Sequence, residues 1–430
     1  MPESPNRGTA RGADTDDVRA PSPLVSLLKD GIFVRIWTAG GLAGTARWLE
    51  TLAVGVYTYQ ATASPLLVAS MLFARMLPTM LLGAFVGAIA ESIGRRRLLL
   101  GGLAIMSTVA AGLSVLATTG KAELWHIAVG AVLSGIFTSG EFPVRRTMLG
   151  EVAGLGRISA AMGLDSATNN ATRMLGPLLG GILLAALGLG GVYALSAVLY
   201  AIAFACVLTL EFAERIVIDR GSEGIFHNIR EGLGYIRTNR LITGTLVVTI
   251  IVNLFGFAYI SMVPVIGEQQ LRLSTVAIGM LTSAEGLGAL VGALCVAVWA
   301  RVRHFTAIYL FGSVFFLCMI LGFSLSSYFA VAFLILFSAG LGIACFGAMQ
   351  STIVFSATAP RMRTRVMGVL VVCIGAGPIG VLHLGLMAEW LGAQKALSVM
   401  AVEGLLAIAI SALLWPELRR EPALSDEMRS

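Results

Sequence analysis

The chain has 430 residues, 57% of them hydrophobic and only 13% charged, with a mean hydropathy of +0.86; a soluble domain carries roughly 25% charged residues, so an ordinary globule is excluded. The net charge of +6 belongs to loops rather than to a nucleic-acid footprint, because cationic loops are how membrane proteins are oriented. All five cysteines (Cys206, Cys295, Cys318, Cys345 and Cys373) fall in apolar runs and read as small core residues, not disulfides or metal ligands.

Residues 1–23, with Pro2, Pro5, Pro21, Pro23, Asp14, Asp16 and Asp17, read as a disordered extension lacking the apolar core of a secretory signal. Twelve apolar runs follow, at 36–58, 66–90, 98–118, 123–143, 160–187, 190–211, 241–266, 276–299, 306–325, 328–355, 366–389 and 396–415. Each approaches the ~20 residues that cross ~30 Å of hydrocarbon, and none alternates as a barrel strand does. The predicted fold is an all-α membrane protein of twelve transmembrane helices in two pseudo-symmetric six-helix bundles, 24–211 and 241–415, with a linker at 212–240 and a tail at 416–430. Within the linker, Ile225, Phe226, Ile229, Leu233 and Ile236 recur at helical spacing opposite Arg230, Glu231, Arg237 and Arg240, which predicts an amphipathic helix on the membrane surface.

The basic residues fall on alternate gaps. Of the 30 Lys and Arg, 24 lie in the N-terminal segment, the even-numbered gaps and the tail, whereas the odd-numbered gaps hold only Lys121, Arg272 and Lys395. The positive-inside rule therefore predicts a multi-pass protein of the plasma (cytoplasmic or inner) membrane with both termini cytoplasmic. The remaining three, Arg47, Arg75 and Arg173, lie inside apolar runs, where a cation costs at least ~2.5 kcal/mol at the bilayer centre unless something compensates it.

The halves repeat one another. GAFVGAI at 83–89 corresponds to GALVGAL at 288–294, and Gly176-Pro177 with Gly180 corresponds to Gly377-Pro378 with Gly380, at spacings of 205 and 201 residues. Two similar halves suit alternating access around a site near the midplane, and small residues four apart let helix backbones approach closely.

The segment Gly87-Ala-Ile-Ala-Glu91-Ser92-Ile-Gly94-Arg95-Arg96-Arg97 resembles the first-loop signature of the major facilitator superfamily, with Glu91 for the usual Asp and Ser92 for the usual basic residue. The resemblance implies a latch of the outward-facing state formed by Gly87, Glu91, Gly94 and Arg95, the acid against the N-terminus of helix eleven and Arg95 tying helix two to helix four. Arg75-Met-Leu-Pro78, Asn170-x-x-Arg173-x-x-Gly176-Pro177-x-x-Gly180-Gly181, the linker around Arg230-Glu231-Gly232, and Arg363-x-Arg365-Val-Met-Gly368 look like the branch that includes the enterobactin exporter and many drug efflux proteins. Many relatives carry Gly-Asp in helix one where this chain has Ala46-Arg47. The Gly176, Pro177, Gly180, Gly181 bend in helix five resembles an antiporter signature, which implies export rather than uptake.

The interior charges are the candidate machinery. Glu50, Glu285 and Asp165 are candidate proton-coupling groups, with Arg47, Arg75, Asn169 and Arg173 as buried partners. Structural pairing of Arg75 with Glu50, and of Arg173 with Asp165 or Asn169, is the competing reading. Trp48, Tyr57, Asn253, Phe257, Met262, Phe346 and Met349 are candidate cavity residues, with Phe255 and Tyr259 beside them, a lining that suits an amphipathic organic compound. Enzyme motifs are absent: no Walker loop, no His/Cys metal spacing, no nucleophile placed with a base. The expected function is proton-coupled efflux of a drug or siderophore-like compound by a monomer in the lipid bilayer, with no cofactor and no nucleic acid. An uptake symporter, or a transporter-like sensor or assembly partner, is the alternative.

Overall fold

The first long helix, α1 (Gly31–Thr62), starts where Asp30 accepts hydrogen bonds from the N–H groups of Ile32 and Phe33 at 3.1 and 3.2 Å, satisfying donors that a helix start leaves without partners. It ends at Ala63 in the left-handed region, and Ser64 then caps α2 (Pro65–Leu82) with Pro65 in its first turn. The computed structural model describes residues 23–83, 93–154, 156–210, 225–299 and 304–419. Helices α3 (Arg95–Thr118), α4 (Leu124–Ala153) and α5 (Ile158–Leu208) complete the first half. At 51 residues α5 is long enough to cross a bilayer twice; it breaks at Gly188 (φ 65°, ψ −171°), a conformation that a side chain disfavours. Its arms are therefore 158–187 and 189–208. At Gly176-Pro177 the backbone angles stay helical, although proline there removes one hydrogen bond of the helix.

The second half opens with α6 (Ile225–Thr238) and α7 (Arg240–Ile251), the latter capped by Asn239, whose side chain accepts from the N–H of Ile242 at 3.2 Å. The chain then leaves regular α geometry, passing through a π turn at Val252–Gly256 and a 3₁₀ turn at Phe257–Ser261 before α8 (Val263–Gln269). Helices α9 (Thr275–Trp299), α10 (Phe305–Leu325), α11 (Phe329–Ala357), α12 (Arg363–Ile374), α13 (Gly377–Leu391) and α14 (Ala393–Leu414) follow. Among the described residues, ten helical stretches are long and apolar enough to cross a membrane, with α5 counted once. The 32-residue α1 is long enough to span but carries Arg35, Arg47 and Glu50. Residues 1–22 of the predicted extension, 212–224 of the predicted linker, 420–430 of the predicted tail, and Gly87 and Glu91 of the latch lie outside the described residues.

Each half has its own core, one around Phe33, Leu49 and Tyr200 and the other around Tyr309, Phe316 and Phe323. The halves meet along two seams, α2 against α13 and the first arm of α5 against α9. They are in close contact at the end of the molecule away from the chain termini, where Ser64 donates to Glu389 at 2.9 Å and Gly55 lies against Pro264. There a Cβ on Gly279 would sit 2.7 Å from the Pro177 carbonyl, and one on Gly181 would sit 2.9 Å from that of Thr275. Only hydrogen fits at both positions. Helix α6 packs against α12: Ile236 is buried, and Arg365 donates to Glu231 at 2.6 Å while Leu233 stays exposed. The linker helix is thus docked on the second half through its polar face as well as its apolar one.

Candidate functional site

Three groups of buried charge occupy the interior. The first joins Glu50 on α1 to Arg75 on α2 at 3.7 Å, too long for a hydrogen bond, with Ser196 and Tyr200 from the second arm of α5 beside the carboxylate. The Ser196 and Tyr200 hydroxyls point their polar atoms at the Glu50 carboxylate, and Glu50 Oε1 and a terminal nitrogen of Arg75 are buried with them.

The second group bridges the halves. Arg173, ~22 Å along α5 from its start, meets Glu285, ~15 Å along α9, by the rise of an α-helix, and Arg173 Nε lies 2.8 Å from Glu285 Oε2. Glu285 is 3% exposed, and the Cβ position of Gly286 next to it lies 2.7 Å from the Met174 backbone nitrogen, so the two helices nearly touch. The Arg173 guanidinium lies 5.2 Å from the Trp48 ring and 5.9 Å from that of Phe257. Tyr259 stands beside both charges. Phe257 and Tyr259 come from the irregular turn between α7 and α8, the kind of local departure from α geometry that often accompanies function.

The third group sits between α4 and α5. Arg145 is paired with both Glu141 and Asp165, and Asp165 also accepts from Arg146 at 2.9 Å. Nearby, Arg47 donates to Asn169 at 3.4 Å. This group corrects two expectations. Arg145 counted as a loop residue beyond a helix ending near 143, but α4 runs to Ala153 and buries Arg145 to 6% exposure, because two carboxylates neutralise it there. Arg173 pairs with Glu285 rather than with Asp165 or Asn169, since Asp165 is already committed to two arginines. The spacing Glu141-x-x-x-Arg145 is an i,i+4 pair, a signal that could have extended the predicted helix.

Trp48, Glu50, Thr51, Arg75, Pro177, Tyr193 and Thr282 help to line a cavity of about 780 Å³, open solvent included, whose remaining walls are largely aliphatic: Leu52, Val54, Val68, Met71, Leu72, Met106 and Ile260. The space lies mainly among the helices of the first half and reaches α8 and α9 through Ser261, Pro264 and Thr282. Of the expected lining residues, Trp48 borders this cavity, and Phe257 borders Arg173. Met262, Phe346 and Met349 belong to the core of the second half, where Phe346 stacks on Tyr309 at 5.5 Å between ring centroids. Asn253 donates to the Thr249 carbonyl at 2.9 Å, and Tyr57 packs against the first-half core. Of the helix-five glycines, Gly176 and Gly180 face Trp48 and Leu49 of α1, and Gly181 alone faces the other half. Arg95, following Gly94, is paired with Glu151 near the end of α4. Glu403 lies 3.9 Å from His383. Among the described residues no cluster of His, Cys, Asp and Glu is arranged to hold a metal.

The model of the family described as "Transmembrane secretion effector" matches residues 22–427. The chain belongs to that family. It is therefore a multi-pass member of the major facilitator superfamily, whose fold is one of secondary transporters of small molecules rather than of enzymes. This secretion-effector family member is 27% identical over 416 residues to the multidrug efflux pump Tap of Mycolicibacterium fortuitum, covering 91% of the chain and 97% of Tap. It is 22% identical over 332 residues to the staphyloferrin A transporter of Staphylococcus aureus, covering 77% and 83% respectively. The uncharacterized MFS-type transporter YfiS of Bacillus subtilis is 26% identical over 209 residues, 47% of the chain and about half, 49%, of YfiS. Among solved structures, a D-xylose-proton symporter superposes with a TM-score of 0.72 at 13% identity, covering 90% of the chain and 98% of the symporter. An inward-facing bacterial homolog of the human lysosomal transporter Spinster gives 0.68 at 14% identity, covering 94% and 100%. These two likenesses are likenesses of fold.

Proposed function

We propose that the chain moves a small amphipathic organic compound across the cytoplasmic membrane by alternating access, with proton uptake at Glu285 and Glu50 coupled to the rocking of the two halves. The observation that carries this reading is the buried Arg173–Glu285 pair, 2.8 Å apart and contributed by opposite halves. Rocking the halves apart at this depth separates the two charges, and stripping a buried ion of its partner costs about 3–5 kcal/mol. A proton taken up by Glu285 removes that cost, so protonation and separation favour each other. Glu50 has the same chemistry within one half: a loosely held carboxylate beside an arginine, at the edge of the cavity.

In this reading the two arms of α5 count separately and α1 spans as well, which gives twelve crossings and a monomer with both termini cytoplasmic; the tight end is then the outer one. The bundles at 24–211 and 241–415 rock about the site, and Arg95 with Gly94, Glu91 and Gly87 latches one state. The helix-five pattern argues for export. Uptake by symport is the second reading, since the same fold also serves a D-xylose-proton symporter.

The test is transport in proteoliposomes with a pH gradient imposed in either direction, screened over dyes, antibiotics and siderophore-like anions. The polarity that drives accumulation separates export from uptake. Glu285→Gln and Glu50→Gln are expected to lower gradient-driven transport at least tenfold while substrate counterflow persists. Gradient-driven transport at wild-type rates in both variants would remove the coupling assignment, and no transport of any compound under either polarity would favour a sensor or assembly role.

A further inference from the structure

The surroundings of Arg173 form a cage for a cation. Trp48 and Phe257 present their rings to the guanidinium at 5.2 and 5.9 Å, and Glu285 sits 2.8 Å from Nε. Aromatic faces carry negative potential and hold a nearby cation, most strongly when it is desolvated. An acid and aromatic faces around one positive group is the chemistry by which proteins recognise organic cations. Here the occupant belongs to the chain itself.

That occupant meets the acid at a single point. Arg173 Nε lies 2.8 Å from one oxygen of Glu285, while a terminal nitrogen of the guanidinium is buried without a partner. A well-seated guanidinium donates two parallel hydrogen bonds to a carboxylate, and this one does not. Trp48 Nε1 is likewise buried and unpartnered, on a residue that also borders the aliphatic cavity. A ligand with a flat cationic head and an apolar body could place the head on Glu285 and the body in that cavity.

We infer that Arg173 is a tethered stand-in for the transported compound, and that the compound is an organic cation which displaces it from Glu285, Trp48 and Phe257. An anion competing instead for Arg173 must displace Glu285 and approach the negative faces of two rings, so the cage selects against it. Because Arg173 and Phe257 come from opposite halves, the exchange also frees the halves to part: the ligand neutralises Glu285 in place of Arg173. This assignment of substrate class rests on the transport reading above for its physiological meaning, but the binding itself does not need transport.

Equilibrium binding to the purified full-length chain in nanodiscs tests it, with ethidium as the cationic probe and carboxyfluorescein as the anionic one. Wild type is expected to bind ethidium in preference to carboxyfluorescein. Removing the tethered competitor in Arg173→Met tightens ethidium binding at least tenfold, whereas Glu285→Gln and Trp48→Leu each weaken it at least fivefold. If Arg173→Met does not fold, Arg173→Gln makes the same test, and the cation-over-anion preference of wild type needs no variant. Ethidium binding unchanged or weakened in a folded Arg173 variant, or a wild-type preference for carboxyfluorescein, overturns the inference. Proton-driven transport of some other compound would then leave the transport reading standing, and the expected binding pattern without transport in proteoliposomes would remove that reading alone.

Discussion

At the scale of single residues, Asp165 is the carboxylate that joins two arginines of α4. It is 1% exposed and holds Arg145 and Arg146, of which Arg145 is itself buried against Gly40. Asp165→Ala leaves Arg145 with Glu141 alone, and breaking a buried pair in this way costs about 3–5 kcal/mol, measured as a loss of thermal or denaturant stability in detergent. Pairing Asp165→Leu with Arg145→Met and Glu141→Met is expected to recover most of that loss, since apolar replacements of a whole buried charge group are often neutral. The identity of the buried charges was legible in the sequence: a cation inside an apolar run stands out, and Arg75 lies 3.7 Å from Glu50, the partner named in the competing reading. Their remaining partners were not, because i,i+4 spacing reports neighbours on one helix only. Arg173 meets Glu285 across 112 positions of sequence and between two halves, a juxtaposition that only packing creates.

At the scale of elements, the helix starts and stops follow local chemistry, and the misplaced boundaries have a common cause. Charged residues mark the edge of an apolar run, yet Arg145 lies inside α4, and Arg35 lies inside α1 with its guanidinium donating to the Thr209 carbonyl at 2.8 Å. Arg96 does the same for the Leu208 carbonyl at 2.8 Å, so two arginines complete the C-terminal end of α5, where carbonyls lack helical partners and the dipole favours cations. What reads as a topology signal is also a helix cap. The seam between α5 and α9 depends on the absence of a side chain at Gly279, where an added Cβ would stand 2.7 Å from the Pro177 carbonyl. Gly279→Val is therefore expected to fold but to hold the tight end apart. A cysteine introduced at Leu66, beside that end, should react several-fold faster with a membrane-impermeant maleimide in the Gly279→Val background than without it. Equal rates would mean that the seam does not seal that end.

At the scale of the whole molecule, the described residues tie the two halves by the Arg173–Glu285 ion pair at mid-depth and by contacts at the end away from the termini. Ser64 and the Leu66 backbone N–H donate to Glu389 at 2.9 and 3.3 Å, and Gly385 packs on Ala69 with its Cβ position 3.6 Å from the Leu66 Cα. Alternating access requires all of these to part once in every cycle, so a covalent tie across them should arrest transport without unfolding either half. Leu66→Cys with Gly385→Cys, in a background lacking the five native cysteines and carrying Ala69→Gly to make room for the new Cβ, which would otherwise collide with that of Ala69, is expected to cross-link under mild oxidation. Transport should fall at least tenfold and return on reduction, while either single cysteine variant is unaffected by the oxidant. The same pair reads the mid-depth tie. With Glu285 replaced by Gln the halves lose their charged clasp and the tight end opens more often, so cross-linking should slow, whereas Asp165→Asn, whose partners all lie in the first half, should leave the rate unchanged. A cross-link that forms readily and leaves transport intact would show that these helices stay together throughout the cycle, and that the moving seam is the one between α5 and α9.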